Sequence, residues 1–232
     1  MLDKKIFILL YFLPLWELSA QSAIAVSGGF NQSIFYCSQS KRQYSHSFLP
    51  YNAYLVNFSY KNDLSSVQRN MQLGGQVEFK QQSAWFYYRD NFPTDTIATG
   101  LRYDIRSINV NIFPELRVGE EIKFIFSGGP VLQFIVNTKA KGKEVQVITG
   151  KPNIEKNIDE ASSNRISGIV FGAKICLGVE IPLYKKLYFT FCNAYSAGFT
   201  SMRGTIKPQM KYFNSLDVNI MGGFLYRMDG GR

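Results

Sequence analysis

Residues Ile108 to Val118 read I-N-V-N-I-F-P-E-L-R-V, and they are the strongest indication of how this chain folds. The apolar residues Val110, Ile112 and Leu116 share one parity with both ends of the stretch, whereas asparagines and charged residues occupy most of the other. Since successive side chains of a β-strand point to opposite faces, this pattern predicts a ribbon with one apolar and one polar side. A tilted strand needs about 9 to 11 residues to cross a bilayer, so the stretch has the length of a membrane-spanning strand.

The same parity test finds eight ribbons along the chain. The links between them are short and long in turn, and the long ones are 37–50, 81–100, 138–165 and 200–211. Outer-membrane barrels show this asymmetry because their periplasmic turns are short and their outer loops are longer. We therefore predict an all-β fold, an eight-stranded antiparallel up-and-down transmembrane β-barrel with both termini at the periplasmic end. The predicted strands are 23–36, 51–60, 67–80, 101–118, 122–137, 166–181, 187–199 and 212–228.

Two short turns predict the register of their hairpins. A turn centred on Tyr184 pairs Val179 with Phe189, and a turn centred on Glu120 pairs Leu116 with Phe124. In both hairpins the apolar residues stay together on one face, which a slip of one residue would destroy.

Charges of both signs recur on the polar face of the ribbons. A lysine or arginine on the lipid side at the middle of the membrane would cost about 2 to 4 kcal/mol, so we expect these residues to face the lumen. An eight-stranded barrel is just wide enough for side chains to fill it, which predicts an ion-paired plug. The predicted lumen network consists of Glu78, Glu115, Arg117, Lys123, Lys174, Glu180, Asp217 and Arg227.

The first twenty residues have the order of a secretory signal. They begin M-L-D-K-K, continue through an apolar stretch and end at Ala20, after which cleavage leaves the first ribbon intact, whereas cleavage after Ala25 would remove part of it. We expect a signal peptide at 1–20, a barrel domain at 21–232, and a mature chain in the outer membrane of a Gram-negative bacterium.

The formal net charge of +9 comes from scattered basic residues without a nucleic-acid-binding motif, so we expect no nucleic-acid partner. The link 138–165 mixes lysines with acidic residues and is the predicted interaction surface, with disorder as the alternative. The expected partners are outer-membrane lipids, the barrel-assembly machinery and an envelope or extracellular protein bound through this link. We expect the chain to be a monomer.

The three cysteines leave two alternatives open. The predicted register places Cys176 opposite Cys192 on the lumen side, which is compatible with a cross-strand disulfide in an oxidising envelope or with two small buried thiols. Cys37 is then left over near an outer link. The single histidine, His46, precedes Ser47, but no orienting acid is near in the sequence. We therefore predict no catalytic, cofactor-binding or metal-ligating residue.

Four segments between about residues 100 and 228 carry a family resemblance. They read I-N-V-N-I-F-P-E-L-R-V-G-E-E-I-K-F-I-F-S-G-G-P, G-A-K-I-C-L-G-V-E-I-P-L-Y-K-K-L-Y-F-T-F, Y-S-A-G-F and S-L-D-V-N-I-M-G-G-F-L-Y-R-M. They resemble the Bacteroidetes-type outer-membrane β-barrel proteins, often called PorT-like, in which corresponding strands end A-G-P and G-Y-R-F. Here Gly128-Gly129-Pro130 and Tyr226-Arg227-Met228 stand in those places. The resemblance implies an outer-membrane barrel and, for some relatives, a role in protein secretion.

These observations predict a non-enzymatic barrel with a filled lumen that has a structural or interaction role through its outer loops. Three alternatives stay open at this point. The first is an envelope enzyme that modifies lipids, and the second is a narrow channel. The third is a soluble lipocalin-like barrel whose apolar residues point inward around a small ligand.

Overall fold

The computed structural model describes residues 21–37, 44–64, 70–91, 95–148, 150–161, 166–200, 202–204 and 212–229. The predicted signal peptide, 1–20, lies outside the described residues. No helix among the described residues is long and apolar enough to cross a membrane. The strands are β1 Gln21–Cys37, β2 Tyr44–Asp63, β3 Met71–Asn91, β4 Asp95–Val118, β5 Lys123–Ile148, β6 Ile154–Ala161, β7 Ile166–Ser167, β8 Ile169–Tyr184, β9 Leu187–Gly198, β10 Met202–Gly204 and β11 Tyr212–Asp229.

Eight of these strands form a closed barrel. Each pairs antiparallel with the next in the order β1, β2, β3, β4, β5, β8, β9 and β11. The last strand then returns to the first, with Gln21 opposite Asp229 at one end of the ladder and Cys37 opposite Phe213 at the other. Closure leaves no unpaired edge in the wall. The predicted eight-stranded up-and-down barrel is confirmed.

The two faces of the wall differ in the way the alternation predicts. Phe30 is 71% exposed and its neighbour Asn31 is 1% exposed, while Ile112 is 54% exposed beside Asn111 at 6%. Apolar side chains therefore point outward and polar ones point into the lumen. This orientation excludes the soluble barrel with an apolar interior.

The predicted loops at the outer end, the end opposite the chain termini, are largely strands. β5 continues to Ile148 and β6 pairs back onto it, with Gln146 opposite Ile154. The prediction that 138–165 is a link between strands is therefore wrong for 138–148 and 154–161, and these residues are not disordered. We call the five-stranded extension the outer sheet; it consists of 44–51, 83–91, 95–106, 137–148 and 154–161. The parity test missed it because both of its faces carry polar residues.

The predicted register of the β4–β5 hairpin is wrong by two residues. Leu116 lies opposite Phe126, not Phe124. The reason is the turn, which begins at Gly119 with φ at 123°, in the left-handed region that glycine tolerates. A shift of two residues keeps every side chain on its own face, so alternation cannot detect it.

The predicted register of the β8–β9 hairpin is wrong by the same amount. Val179 lies opposite Phe191, not Phe189. An irregularity between Pro182 and Tyr184 adds a residue to β8 just before the turn. At the turn, Tyr184 pairs with Leu187, which shifts the pairing by three residues from the prediction. The bulge then reduces this shift to two residues.

Two prolines inside the wall lie where the β4–β5 ladder is interrupted. Pairing stops after Asn111 and resumes at Glu115, and Pro114 lies within this gap. Pro130 lies in the matching gap on β5. Because proline cannot donate a ladder hydrogen bond, the interruption accommodates both residues without shifting the register on either side.

Candidate functional site

The lumen is the candidate site, and buried ion pairs cross it. Each joins two strands that are not neighbours in the wall, and the partners are between 47 and 137 residues apart in the sequence. The pairs are Lys61–Glu115 at 2.6 Å, Lys80–Asp217 at 2.8 Å, Arg117–Asp63 at 2.6 Å, Lys174–Glu78 at 2.6 Å, and Arg227–Glu180. Every acidic member is matched by a cation, which buried charges require.

Asp217 is the centre of the outer part of the network. Its carboxylate accepts hydrogen bonds from Ser33 Oγ at 2.5 Å, Lys80 Nζ at 2.8 Å and Gln82 Nε2 at 2.9 Å. Gln82 in turn accepts a bond from Gln133 Nε2 at 2.6 Å, which extends the network to β5. Three strands of the wall, β1, β3 and β5, are thereby joined to β11 through side chains alone.

Glu78 is the centre of the middle part. Lys174 Nζ donates to it at 2.6 Å, Asn109 Nδ2 at 2.9 Å and Gln76 Nε2 at 3.2 Å. The carboxylate is 2% exposed, so its charge is compensated by side chains and not by bulk water.

The end of the barrel that holds the chain termini carries the remaining pairs. Lys61 Nζ donates to both oxygens of Glu115, at 2.8 and 2.6 Å. Arg227, which pairs with Glu180, also places its guanidinium 4.5 Å from the centre of the Tyr188 ring. A guanidinium over an aromatic face is an attractive arrangement, and it closes this end of the lumen.

The structure brings together most of the residues that alternation assigned to the lumen. Seven of the eight are members of the ion pairs described above, and Lys123 lies at the periplasmic rim opposite Glu180 in the β5–β8 ladder. The partners Lys61 and Asp63 were missed because the predicted second strand ended at Tyr60, whereas β2 continues to Asp63. Their odd parity, shared with the inward-facing Asn57 and Ser59, was the signal that would have found them.

The space left in the lumen is small. A cavity of about 60 Å³ lies among the side chains, with lining residues that include Lys61, Glu115 and Lys174. Two others measure about 10 and 20 Å³. Small-molecule sites usually measure about 300 Å³ or more, so these cavities have room for a few water molecules only. The lumen is filled by its own side chains.

The two lumen cysteines are not bonded to each other. Both are free thiols, and Cys176 lies opposite Ala194 while Cys192 lies opposite Gly178. The prediction that they face each other directly is wrong, because the hairpin register differs by two residues, and the structure shows two free thiols that are partly buried. The side chain of Cys37 lies outside the described residues.

No catalytic constellation can be assembled from the described side chains. The backbone of His46 pairs with Tyr88 in the outer sheet, but the side chain of His46 lies outside the described residues. Among the described residues, no group of three His, Cys, Asp or Glu residues is placed to hold a metal ion.

Known proteins offer limited comparison. No family model matches the chain, and no curated protein matches it. Among solved structures, the attachment invasion locus protein Ail of Yersinia pestis has a TM-score of 0.41 and 14% identity, over 91% of this chain and 100% of Ail. OprG of Pseudomonas aeruginosa has a TM-score of 0.48 and 10% identity, over 91% of this chain and 98% of OprG. Neisserial surface protein A has a TM-score of 0.43 and 11% identity, over 90% and 97% of the two chains. The PorT-like resemblance stays a prediction.

Proposed function

We propose that this chain is a non-enzymatic outer-membrane β-barrel protein that acts as a structural or interaction protein through its outer sheet. The observation that carries the proposal is the apolar belt around the outside of the barrel. In β1 the outward apolar side chains extend from Ile24 to Ile34, and in β11 from Leu216 to Tyr226. Both stretches have the length of the Ile108–Val118 ribbon.

The dimensions of the belt match a bilayer. Eleven residues of a strand that rises about 3.4 Å per residue and tilts by about 40° span roughly 25 Å, which is the height of the apolar band of outer-membrane barrels. Soluble monomers rarely expose an apolar patch larger than about 600 Å², whereas this belt encircles the whole molecule. Hydrocarbon is the environment that such a surface requires.

The filled lumen favours an interaction role over conduction. Ion pairs cross it from the outer end to the periplasmic end, and its cavities hold a few water molecules at most. The outer sheet is the part of the described chain that projects beyond the belt, and its β5–β6 hairpin carries Lys143 and Glu155 on its surface. A protein partner outside the cell is therefore expected to bind there.

The proposal includes the route by which the chain reaches the membrane. Residues 1–20 serve as a signal peptide, and the barrel-assembly machinery inserts the mature chain as a monomer among outer-membrane lipids. The sequence pattern of the first twenty residues supports export, and the short periplasmic turns support this orientation.

Fractionation tests location and folding together. The full chain is expressed in a Gram-negative host, and the outer-membrane fraction is extracted with detergent and run on gels with and without boiling. We expect the chain in that fraction only, with a mobility that changes on boiling because the closed barrel resists detergent at low temperature. A mature chain that stays in the soluble periplasmic fraction would refute the proposal.

Topology is tested by an epitope inserted at Gly150, in the turn between β5 and β6. Antibody should label intact cells carrying this insertion. The matched control is an epitope inserted after Glu120, in the short turn between β4 and β5, which should be labelled only after the outer membrane is permeabilised. The reverse pattern would place the outer sheet in the periplasm and contradict an extracellular role.

A further inference from the structure

We propose that Cys176, Cys192 and Met221 form a binding site for a soft monovalent cation, Cu(I), inside the barrel. The site lies beside the Lys61–Glu115 and Lys174–Glu78 pairs, and it does not depend on the role of the outer sheet. Three sulfur-bearing side chains, from the neighbouring strands β8, β9 and β11, line it.

The register brings the three side chains together. Met221 on β11 lies directly opposite Cys192 on β9. Cys176 is on β8, the other neighbour of β9, and lies opposite Ala194, two residues along from Cys192. Diagonal neighbours of this kind are within reach of each other's side chains, and both cysteines pack against the cluster that contains Met221.

The same three residues line one cavity. They pack around Ala194 and Leu55 on one side and face the cavity of about 60 Å³ on the other. A single metal ion occupies less space than this cavity provides.

Amide oxygens without a hydrogen-bond partner line this cavity and are independent evidence for a bound species there. Asn57 and Asn111 also line it, at 8% and 6% exposure, and the Oδ1 atom of each has no hydrogen-bond partner among the described residues. A buried amide oxygen without a partner costs about 1 to 3 kcal/mol, so a bound species that orders donors or positive charge in the cavity would lower this cost. Water or a hydrated cation meets that requirement.

The donor set selects the kind of cation. Thiolate and thioether sulfurs are soft ligands that favour Cu(I), whereas hard cations need oxygen ligands. The carboxylates nearest to the cavity are unavailable, because Glu115 and Glu78 are paired with Lys61 and Lys174. A thioether is a neutral ligand that suits Cu(I) better than Zn(II), for which the typical donors are thiolate, imidazole and carboxylate.

The charges of the site balance without a redox step. When Cu(I) binds, each thiol that becomes a thiolate releases one proton to solvent, as is usual for metal sites built from cysteine. When one of the two cysteines binds as a thiolate, and the other as a thiol beside the Met221 thioether, the Cu(I) site carries no net charge. Lys61 and Lys174 then stay paired with their own carboxylates.

The test is a competition titration of the full mature chain, folded in detergent, kept reduced and free of oxygen. Cu(I) is supplied in complex with a chromophoric chelator, and transfer to the protein is read from loss of colour. We expect one Cu(I) per chain, and X-ray absorption should show sulfur neighbours only. Cys176→Ser and Cys192→Ser should each abolish binding. Met221→Leu, which keeps the volume, should weaken it by about 10-fold or more.

The matched control is Cys37→Ser, which removes the third thiol and should leave stoichiometry and affinity unchanged. Boiling-dependent gel mobility shows that each variant is folded before it is titrated. Absence of binding to the folded, reduced chain would overturn the proposal, and so would binding that survives in the Cys176→Ser and Cys192→Ser variants. Unchanged affinity in Met221→Leu would refute the three-sulfur site.

Discussion

The barrel wall and the outer sheet are made from the same strands, yet different interactions stabilise them. In the wall every strand has a neighbour on both sides, and buried ion pairs cross the lumen. In the outer sheet, among the described residues, 44–51 pairs only with β3 and β6 pairs only with β5. Its Lys143–Glu155 pair spans 3.6 Å with both side chains more than 60% exposed.

This difference predicts which substitutions will lower the free energy of unfolding most. Removing one partner of a buried ion pair costs about 3 to 5 kcal/mol because an uncompensated charge stays behind. An exposed pair contributes about 0 to 1 kcal/mol. The wall should therefore determine the stability of the protein, and the outer sheet should tolerate change.

The largest expected effect comes from Asp217→Ala. It leaves Lys80 buried without its carboxylate and removes the acceptor of Ser33 and Gln82, so the free energy of unfolding should fall by about 3 to 5 kcal/mol. The measurement is the guanidinium midpoint of the chain refolded in lipid vesicles. The double variant Lys80→Met with Asp217→Leu should recover much of this loss, since it removes both charges. A single variant as stable as wild type would contradict the role given to the lumen network.

The second effect tests the belt. Ile112→Lys places a charge at the middle of the outward face and should lower the free energy of unfolding in vesicles by about 2 to 4 kcal/mol. The matched control is Val147→Lys in the outer sheet, at 41% exposure against 54% for Ile112, which should change it by less than about 0.5 kcal/mol. Equal losses at the two positions would show that the belt does not lie in hydrocarbon.

A smaller effect is expected at Gly74. A Cβ atom there would lie 2.5 Å from Cζ of the inward-facing Phe113 ring, so Gly74→Ala should destabilise the barrel by about 1 to 3 kcal/mol through overpacking. Gly150→Ala in the outer sheet meets no atom within 4 Å, although its φ of 78° adds strain. Adding Phe113→Leu should relieve the overpacking at Gly74. If it makes the loss larger, steric conflict with the ring is not the cause.

The smallest effect is expected at the exposed pair. Lys143→Ala should change the free energy of unfolding by less than about 1 kcal/mol and should become undetectable at high salt, because exposed pairs are screened. Urea midpoints at low and high salt measure it. A loss comparable to that of Asp217→Ala would mean that the outer sheet is as strongly stabilised as the wall.

Alternation predicted the number of barrel strands and their two faces because these depend only on which side chains tolerate hydrocarbon. It predicted the strand end at Val118 and the strand starts at Leu187 and Tyr212, but it missed most of the outer sheet and the end of β2. In the outer sheet the residues 139–144 read K-A-K-G-K-E, and no apolar face marks them as a strand. At the end of β2, the sequence around Lys61 and Asp63 is typical of a turn. The structure shows that these residues belong to the strand, because they pair with Glu115 and Arg117 in the lumen.

In the candidate sites too, the sequence predicts which face a residue lies on, whereas the tertiary structure decides which residues meet. That Glu78 and Lys174 point inward follows from their parity alone. That they meet, 96 residues apart, depends on barrel closure and on the register of every hairpin between them. The sulfur cluster is more sensitive still, because a register shifted by two residues keeps Cys176, Cys192 and Met221 in the lumen but changes which of them are neighbours.

The order of apolar and polar residues in this chain was sufficient to establish eight two-faced ribbons, because the free energy of placing a side chain in oil or in water is a local property. Partner identity is not local. The tertiary structure decided which lysine neutralises which carboxylate and which sulfur atoms share a cavity. These pairings depend on turn geometry, on the bulge in β8 and on closure of the barrel. Each of these shifts one strand relative to another, and the residue pattern within a single strand does not record that shift.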